Sequence, residues 1–213
     1  MAIDYTAHAI NHKDNGTVVL IGSLGTTQEM WEPQVAALSE KYQVITPDVR
    51  GHGDSPIPEG EWDMSHLAAD IIEVLDEEDI DRAHFVGLSL GGAIAQTIAL
   101  EHADRVVSLT LSSTAPKFGT PEAWQEKAQL VRDKGTVALA DTVVRNWFTD
   151  ECFDTTPELA ARFRDMIADC PDDGYIGACG ALSRFDTRER LAEITAPTLV
   201  IAGKQDTLSL IHI

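Results

Sequence analysis

Basic residues are scarce in this 213-residue chain: 16 lysines and arginines stand against 35 aspartates and glutamates, a formal net charge of −19. So acidic a surface repels nucleic acid and anionic membrane, which argues against both as partners. It leaves room for a small anionic substrate, because one local cation suffices to hold it. Cysteine is also sparse. Cys152, Cys170 and Cys179 are odd in number and follow no metal-ligand spacing. They read as reduced thiols of a cytoplasmic protein, with no metal site. No apolar run approaches the ~20 residues of a membrane span. The opening Met1-Ala2-Ile3-Asp4-Tyr5 has no basic segment followed by an apolar one, so no secretory leader is read there. Nothing in the composition speaks to oligomeric state. At 44% apolar and 24% charged, the chain is ordinary for a globular domain, and it is long enough to bury a sizeable core.

Apolar β-like runs alternate with helical stretches through the first half. Residues 2–12 alternate weakly and suggest an opening hairpin strand. Asp14-Asn15-Gly16 is a turn signal. Thr17-Val18-Val19-Leu20-Ile21 reads as a buried parallel strand. Met30 to Lys41 has helical spacing, with Trp31, Val35 and Leu38 on one side. Tyr42 to Thr46 is a second strand and Ser65 to Asp79 a helix, with Ser65 as N-cap. Ala83 to Val86 and Arg105 to Leu111 are two further strands, and a helix of small residues over Ala93 to Glu101 separates them. Such alternation implies a mostly parallel, doubly wound sheet.

Within that pattern lies Gly87-Leu88-Ser89-Leu90-Gly91, a Gly-x-Ser-x-Gly turn between strand and helix. Glycines at both ends let strand and helix approach closely while Ser89 takes an unfavourable backbone conformation. The Leu90 N–H then lies at a helix N-terminus, where it can stabilise an oxyanion. This is the nucleophile elbow of the α/β-hydrolase fold, with Ser89 as nucleophile. The alternation stops after residue 115. From 116 to 185 the sequence reads as helices only, over Glu122–Lys134, Thr136–Trp147, Pro157–Cys170 and Tyr175–Leu182. It resumes at Ile194, with Pro197 opening a last strand that runs into Gly203-Lys204-Gln205-Asp206.

The chain resembles the α/β-hydrolases over nearly its whole length to Thr207. The resemblance implies three segments: core over 1–115, helical cap over 116–185 and the rest of the core over 186–213. It also implies that the loop Gly22-Ser23-Leu24-Gly25 gives a second oxyanion donor, the Leu24 N–H. Asp206 then takes the place of the triad acid, which follows the serine in chain order. Asp48-Val49-Arg50-Gly51-His52-Gly53-Asp54-Ser55 resembles a structural loop of the family, so His52 is read as structural. Ser23-Leu24-Gly25-Thr26, Met30-Trp31, Asn146-Trp147-Phe148-Thr149, Gly174 to Leu182 and Phe185-Asp186 narrow the likeness to 3-oxoadipate enol-lactonases. The implied activity is cofactor-free hydrolysis of a lactone in the β-ketoadipate pathway of aromatic degradation. A broader carboxylesterase and an inert binding relative remain as alternatives. The cap aromatics Trp124, Trp147, Phe148 and Phe153 are candidates to line the pocket. Arg132 and Arg145 are candidate anchors for a substrate carboxylate.

A triad also needs a histidine beyond the acid. Only His212 follows Asp206, too near to arrive by the usual strand and helix. The final Leu208-Ser209-Leu210-Ile211-His212-Ile213 back-translates as CTG-TCT-CTT-ATA-CAC-ATC, a transposase adapter sequence used in preparing sequencing libraries. The expectation is a reading frame that leaves genuine coding sequence near Thr207, a natural protein with its histidine further on, and impaired activity here. The C-terminal strand and helix of the fold are then missing, which leaves apolar sheet surface uncovered.

Overall fold

The computed structural model describes residues 2–206. Six strands form one sheet: β1 (Tyr5–His8), β2 (Thr17–Ile21), β3 (Gln43–Pro47), β4 (Ala83–Leu88), β5 (Val106–Ser112) and β6 (Thr198–Ile201). Their spatial order is β1-β3-β2-β4-β5-β6. All neighbours are parallel except β1, which runs antiparallel to β3. The opening strand therefore does not form a hairpin with its successor. It pairs with β3 on the side away from β2, so the link from β1 to β2 passes β3, and residues 10–15 make a short 3-10 turn within it. The parallel core is the mostly parallel α/β-hydrolase sheet.

Period-two alternation separates the two faces. Val19, Ile21, Ile45, Phe85 and Leu109 join one large core. Val18, Leu20 and Val44 join a smaller one with Trp31, packed by Val35 and Leu38 of α1 (Glu32–Leu38). The large core is closed by α2 (Met64–Glu77) and α3 (Leu90–Glu101). Asp63, not Ser65, caps α2. Its carboxylate accepts from the His66 N–H at 3.1 Å, and the His66 ring reaches back to the Asp63 N–H in a capping box. Ser65 instead donates to the Glu101 carboxylate at 2.8 Å. α3 is buried from Leu90 through Ala99, which only a run of small and apolar residues allows.

Five helices lie between β5 and β6: α4 (Pro121–Lys134), α5 (Val137–Trp147), α6 (Asp150–Thr155), α7 (Pro157–Asp169) and α8 (Asp172–Arg184). α4 packs on α8 and α5 on α7. A Lys117–Asp186 pair, 3.2 Å apart, closes the base of this insertion. Periodicity did not reveal α6, because six residues are too few to show a helical stripe. Its start is nonetheless capped, the Thr149 hydroxyl accepting from the Cys152 N–H. The Gly174 end of α8 rests directly on the Gly51 backbone, and Gly177 lies against the Trp62 ring; any Cβ there would collide. The insertion is thus seated on the loop that follows β3. No helix among the described residues is long and apolar enough to cross a membrane.

Candidate active site

Ser89 sits between β4 and α3 with φ 54° and ψ −110°. That left-handed conformation costs a non-glycine residue about 1–3 kcal/mol. The neighbourhood over-determines it. The Ser89 N–H donates to the Ser112 carbonyl at 3.0 Å, and the Thr114 hydroxyl donates to the Ser89 carbonyl at 2.8 Å. A Cβ on Gly87 would collide with the Gly91 carbonyl, and one on Gly91 with the Ile21 carbonyl. Both glycines are therefore fixed by close approach of backbone. The serine side chain is only half-buried, and its hydroxyl has no hydrogen-bond partner among the described residues.

The Gly91 N–H donates to the Gly22 carbonyl at 3.0 Å and ties the start of α3 to the loop after β2. That loop turns at Leu24-Gly25, with Gly25 at φ 81°. It is braced by the Thr26 hydroxyl, which donates to the Ser23 carbonyl at 2.9 Å. Leu24 and Leu90 belong to one apolar cluster, which also holds Tyr175, Cys179 and Trp124 of the insertion. Neither the Leu24 nor the Leu90 N–H has an acceptor among the described residues. A free donor directly after a strained serine, and a second in the loop tied to the same helix start, are groups able to hold an oxyanion.

Asp206 follows β6 in a turn where its N–H donates to the Gly203 carbonyl at 3.0 Å. Leu88, Ser112 and Ile201 are in register across β4, β5 and β6. β4 and β6, which lead into Ser89 and Asp206, therefore end at the same edge of the sheet, with β5 between them. That carboxyl end is where ligands bind in open α/β sheets. β6 itself is open: Leu199, Val200 and Ile201 are 57, 60 and 46% exposed.

The described histidines serve elsewhere. His8 bonds the Thr46 hydroxyl at 3.0 Å and His84 the Ser108 hydroxyl at 2.8 Å. His66 caps α2, His12 lies in the turn before β2, and His102 ends α3. His52 lies in the loop after β3. It is buried, with Nδ1 at 3.2 Å from the Arg50 carbonyl and Nε2 unpartnered. Burial lowers its pKa to about 4, which makes it a weak base, and it does not bond Ser89. Around it the loop is rigid. Arg50 grips Asp70 with two bonds of 2.5 and 2.6 Å, and the Ser55 hydroxyl donates to the Asp48 carbonyl at 2.6 Å. His212 and the adapter-like tail lie outside the described residues.

The structure separates the pocket candidates. Trp124 is half-buried in the cluster with Leu24 and Leu90, its Nε1 donating to the Phe118 carbonyl at 2.7 Å. Trp147, Phe148 and Phe153 belong to a satellite core between α5 and α7, with Phe163. Arg145 is exposed, stacked 4.2 Å from the Phe153 ring centroid. Arg132 is exposed on α4. Sequence reasoning passed over Lys127, one turn beyond Trp124, whose Nζ lies 4.7 Å from the Trp124 ring centroid. Cys170 and Cys179 are buried, which pushes both thiols up to about 12 and leaves them neutral. No group of three or more His, Cys, Asp or Glu among the described residues is arranged to hold a metal ion.

A cleft of about 1350 Å³ lies between α7 and the β1 side of the core, with Gly25, Thr26 and Cys170 in its wall. It is lined by Gln28, Glu29, Asp48, Arg162 and Asp165 among others, and Ser89 is not in it.

The sequence profile of the alpha/beta hydrolase fold family matches residues 16–212. The chain belongs to the α/β-hydrolase fold family. It is 39% identical over 203 residues to "3-oxoadipate enol-lactonase 1" of Acinetobacter baylyi, covering 95% of this chain and 76% of that protein. A crystal structure of an enol-lactonase from Burkholderia xenovorans superposes with a TM-score of 0.91 at 38% identity, covering 95% of this chain and 78% of that one. A thermophilic esterase from Thermogutta terrifontis, solved with malate bound, gives a TM-score of 0.89 at 26% identity over 97% of this chain and 76% of that one. This member of the α/β-hydrolases thus stands among ester and lactone hydrolases.

Proposed function

We propose that this hydrolase opens 3-oxoadipate enol-lactone to 3-oxoadipate, with Ser89 as nucleophile. The observation that carries the reading is the strained Ser89 at the start of α3, in a chain 39% identical to an enol-lactonase. Ser89 Oγ attacks the lactone carbonyl carbon, and the Leu24 and Leu90 N–H groups receive the oxyanion. The bond to the ring oxygen breaks, and the leaving enolate takes a proton at carbon to become the ketone. Water then releases the second carboxylate from the acyl-serine. Asp206 is the orienting acid. The helices from α4 to α8 form a cap that covers the substrate and excludes water.

None of the described histidines is placed to take the serine proton, so residues 2–206 lack the general base. The esterase neighbour sustains one alternative, a carboxylesterase with a broader pocket. Turnover of the enol-lactone and of p-nitrophenyl acetate, measured side by side with 50 mM imidazole as an added base, separates the two. Faster loss of the lactone supports the proposal; equal or faster ester cleavage favours the carboxylesterase.

A further inference from the structure

3-Oxoadipate is a dicarboxylate, and ring opening creates only one of its carboxylates. The other is already free on the lactone. On the lactonase reading, then, the site needs a cation inside a strongly acidic protein. The charged side chains narrow the choice. Arg50 is buried against Asp70, Arg105 pairs with Asp76, Lys117 with Asp186, Arg162 with Glu29 and Glu32, and Arg164 with Asp141 and Asp165. Lys41, Arg82, Arg132, Lys134, Arg145 and Lys204 are exposed. Among the described side chains, Lys127 is the one partly buried cation with neither a carboxylate partner nor a hydrogen bond.

Its place in the fold adds direction. Lys127 lies on α4, which packs on α8. Its ammonium rests on the Trp124 ring, and Trp124 packs into the same apolar cluster as Cys179 of α8. Tyr175, one turn before Cys179, is the residue nearest to the Cβ position of Gly25, at 3.1 Å. Gly25 directly follows Leu24, the candidate oxyanion donor. Tyr175 and Cys179 share one side of α8 and are about 6 Å apart along its axis. A short path of packed residues thus joins the oxyanion loop to the lysine. Trp124, Tyr175, Cys179 and Leu24 lie in one apolar cluster, so a charge beside them has little water to solvate it. Burial lowers the lysine's pKa, the mark of an ammonium that lacks a counter-ion.

We propose that Lys127, seated on Trp124, is the binding residue for the free carboxylate of an anionic lactone or ester substrate. The ring face fixes the ammonium and leaves its N–H donors open to the carboxylate. Anionic acyl substrates are selected and neutral esters are not. Arg132 and Arg145 are too exposed for this role.

The test is calorimetric binding of adipate and of dimethyl adipate to the full chain, with Lys127→Met and Lys127→Arg beside it. Adipate stands in for the product without its labile ketone, and binding needs no turnover. The unsubstituted protein is expected to bind adipate about 10- to 100-fold more tightly than the diester. Lys127→Met is expected to remove that preference with dimethyl adipate affinity unchanged, and Lys127→Arg to keep most of it. The adipate-to-diester ratio of the unsubstituted chain decides the question even where a variant fails to fold: a ratio near one overturns the proposal. A preference that survives Lys127→Met overturns it as well. Lactone turnover bears separately on the lactonase reading. Failure there with a Lys127-dependent preference for adipate leaves the anionic site standing on a different acyl substrate.

Discussion

Strands β4 and β6 each carry one group of the candidate site, and they are held in opposite ways. β4 lies in mid-sheet between β2 and β5, with Phe85 wholly buried and the elbow locked by backbone contacts on both sides. Among the described residues β6 pairs only with β5, and all four of its residues are exposed. The nucleophile end is therefore rigid and can store the strain of Ser89, whereas the acid end is lightly packed by the described residues. Strain of this kind persists only where surrounding structure over-determines it.

Core truncation breaks the comparison most directly. Phe85→Ala should cost about 3–5 kcal/mol, and Leu199→Ala less than about 1 kcal/mol, because its side chain is already largely in water. Urea unfolding of the two variants measures this, and equal losses would refute the contrast. Acid comes next. His52, in the buried loop beside β3, has its folded pKa lowered to about 4 by burial, against ~6.5 when unfolded. Below pH 6.5 the unfolded chain takes up a proton that the folded chain refuses, so this group lowers stability as pH falls from 6.5 towards 4. The full effect is about 3 kcal/mol. His52→Gln should flatten the melting temperature over that window, and an unchanged slope would count against it. The smallest effect concerns the elbow itself. Ser89→Gly relieves the left-handed strain and should raise stability by about 1 kcal/mol while abolishing activity. A fall in melting temperature would show that Ser89 is not strained in solution.

Much of the contrast was hidden in the sequence. The Thr17–Ile21 run and the Thr198–Ile201 run look alike as short β-branched apolar segments, and both are strands. Yet one is buried throughout and the other is open. Composition reports what a strand is able to bury, and neighbours decide what it does bury. The elbow was legible because its glycines are demanded locally by close approach of backbone. The α2 cap was misplaced by two residues because Ser65 and Asp63 are both good caps, and the capping box with His66 decides between them. α6 was too short to show a period. Trp124 was legible as an aromatic of the helical insertion, but Lys127 was not, since a lysine on a helix reads as solvated surface until its burial and missing counter-ion are seen.

The central claim, that Ser89 is the nucleophile, is tested most directly by prolonged exposure of the chain to a fluorophosphonate, followed by intact-mass and peptide analysis. The predicted result is a single adduct on Ser89, faster with added imidazole and lost in Ser89→Ala. An adduct on another residue, or one formed equally well by Ser89→Ala, would contradict it.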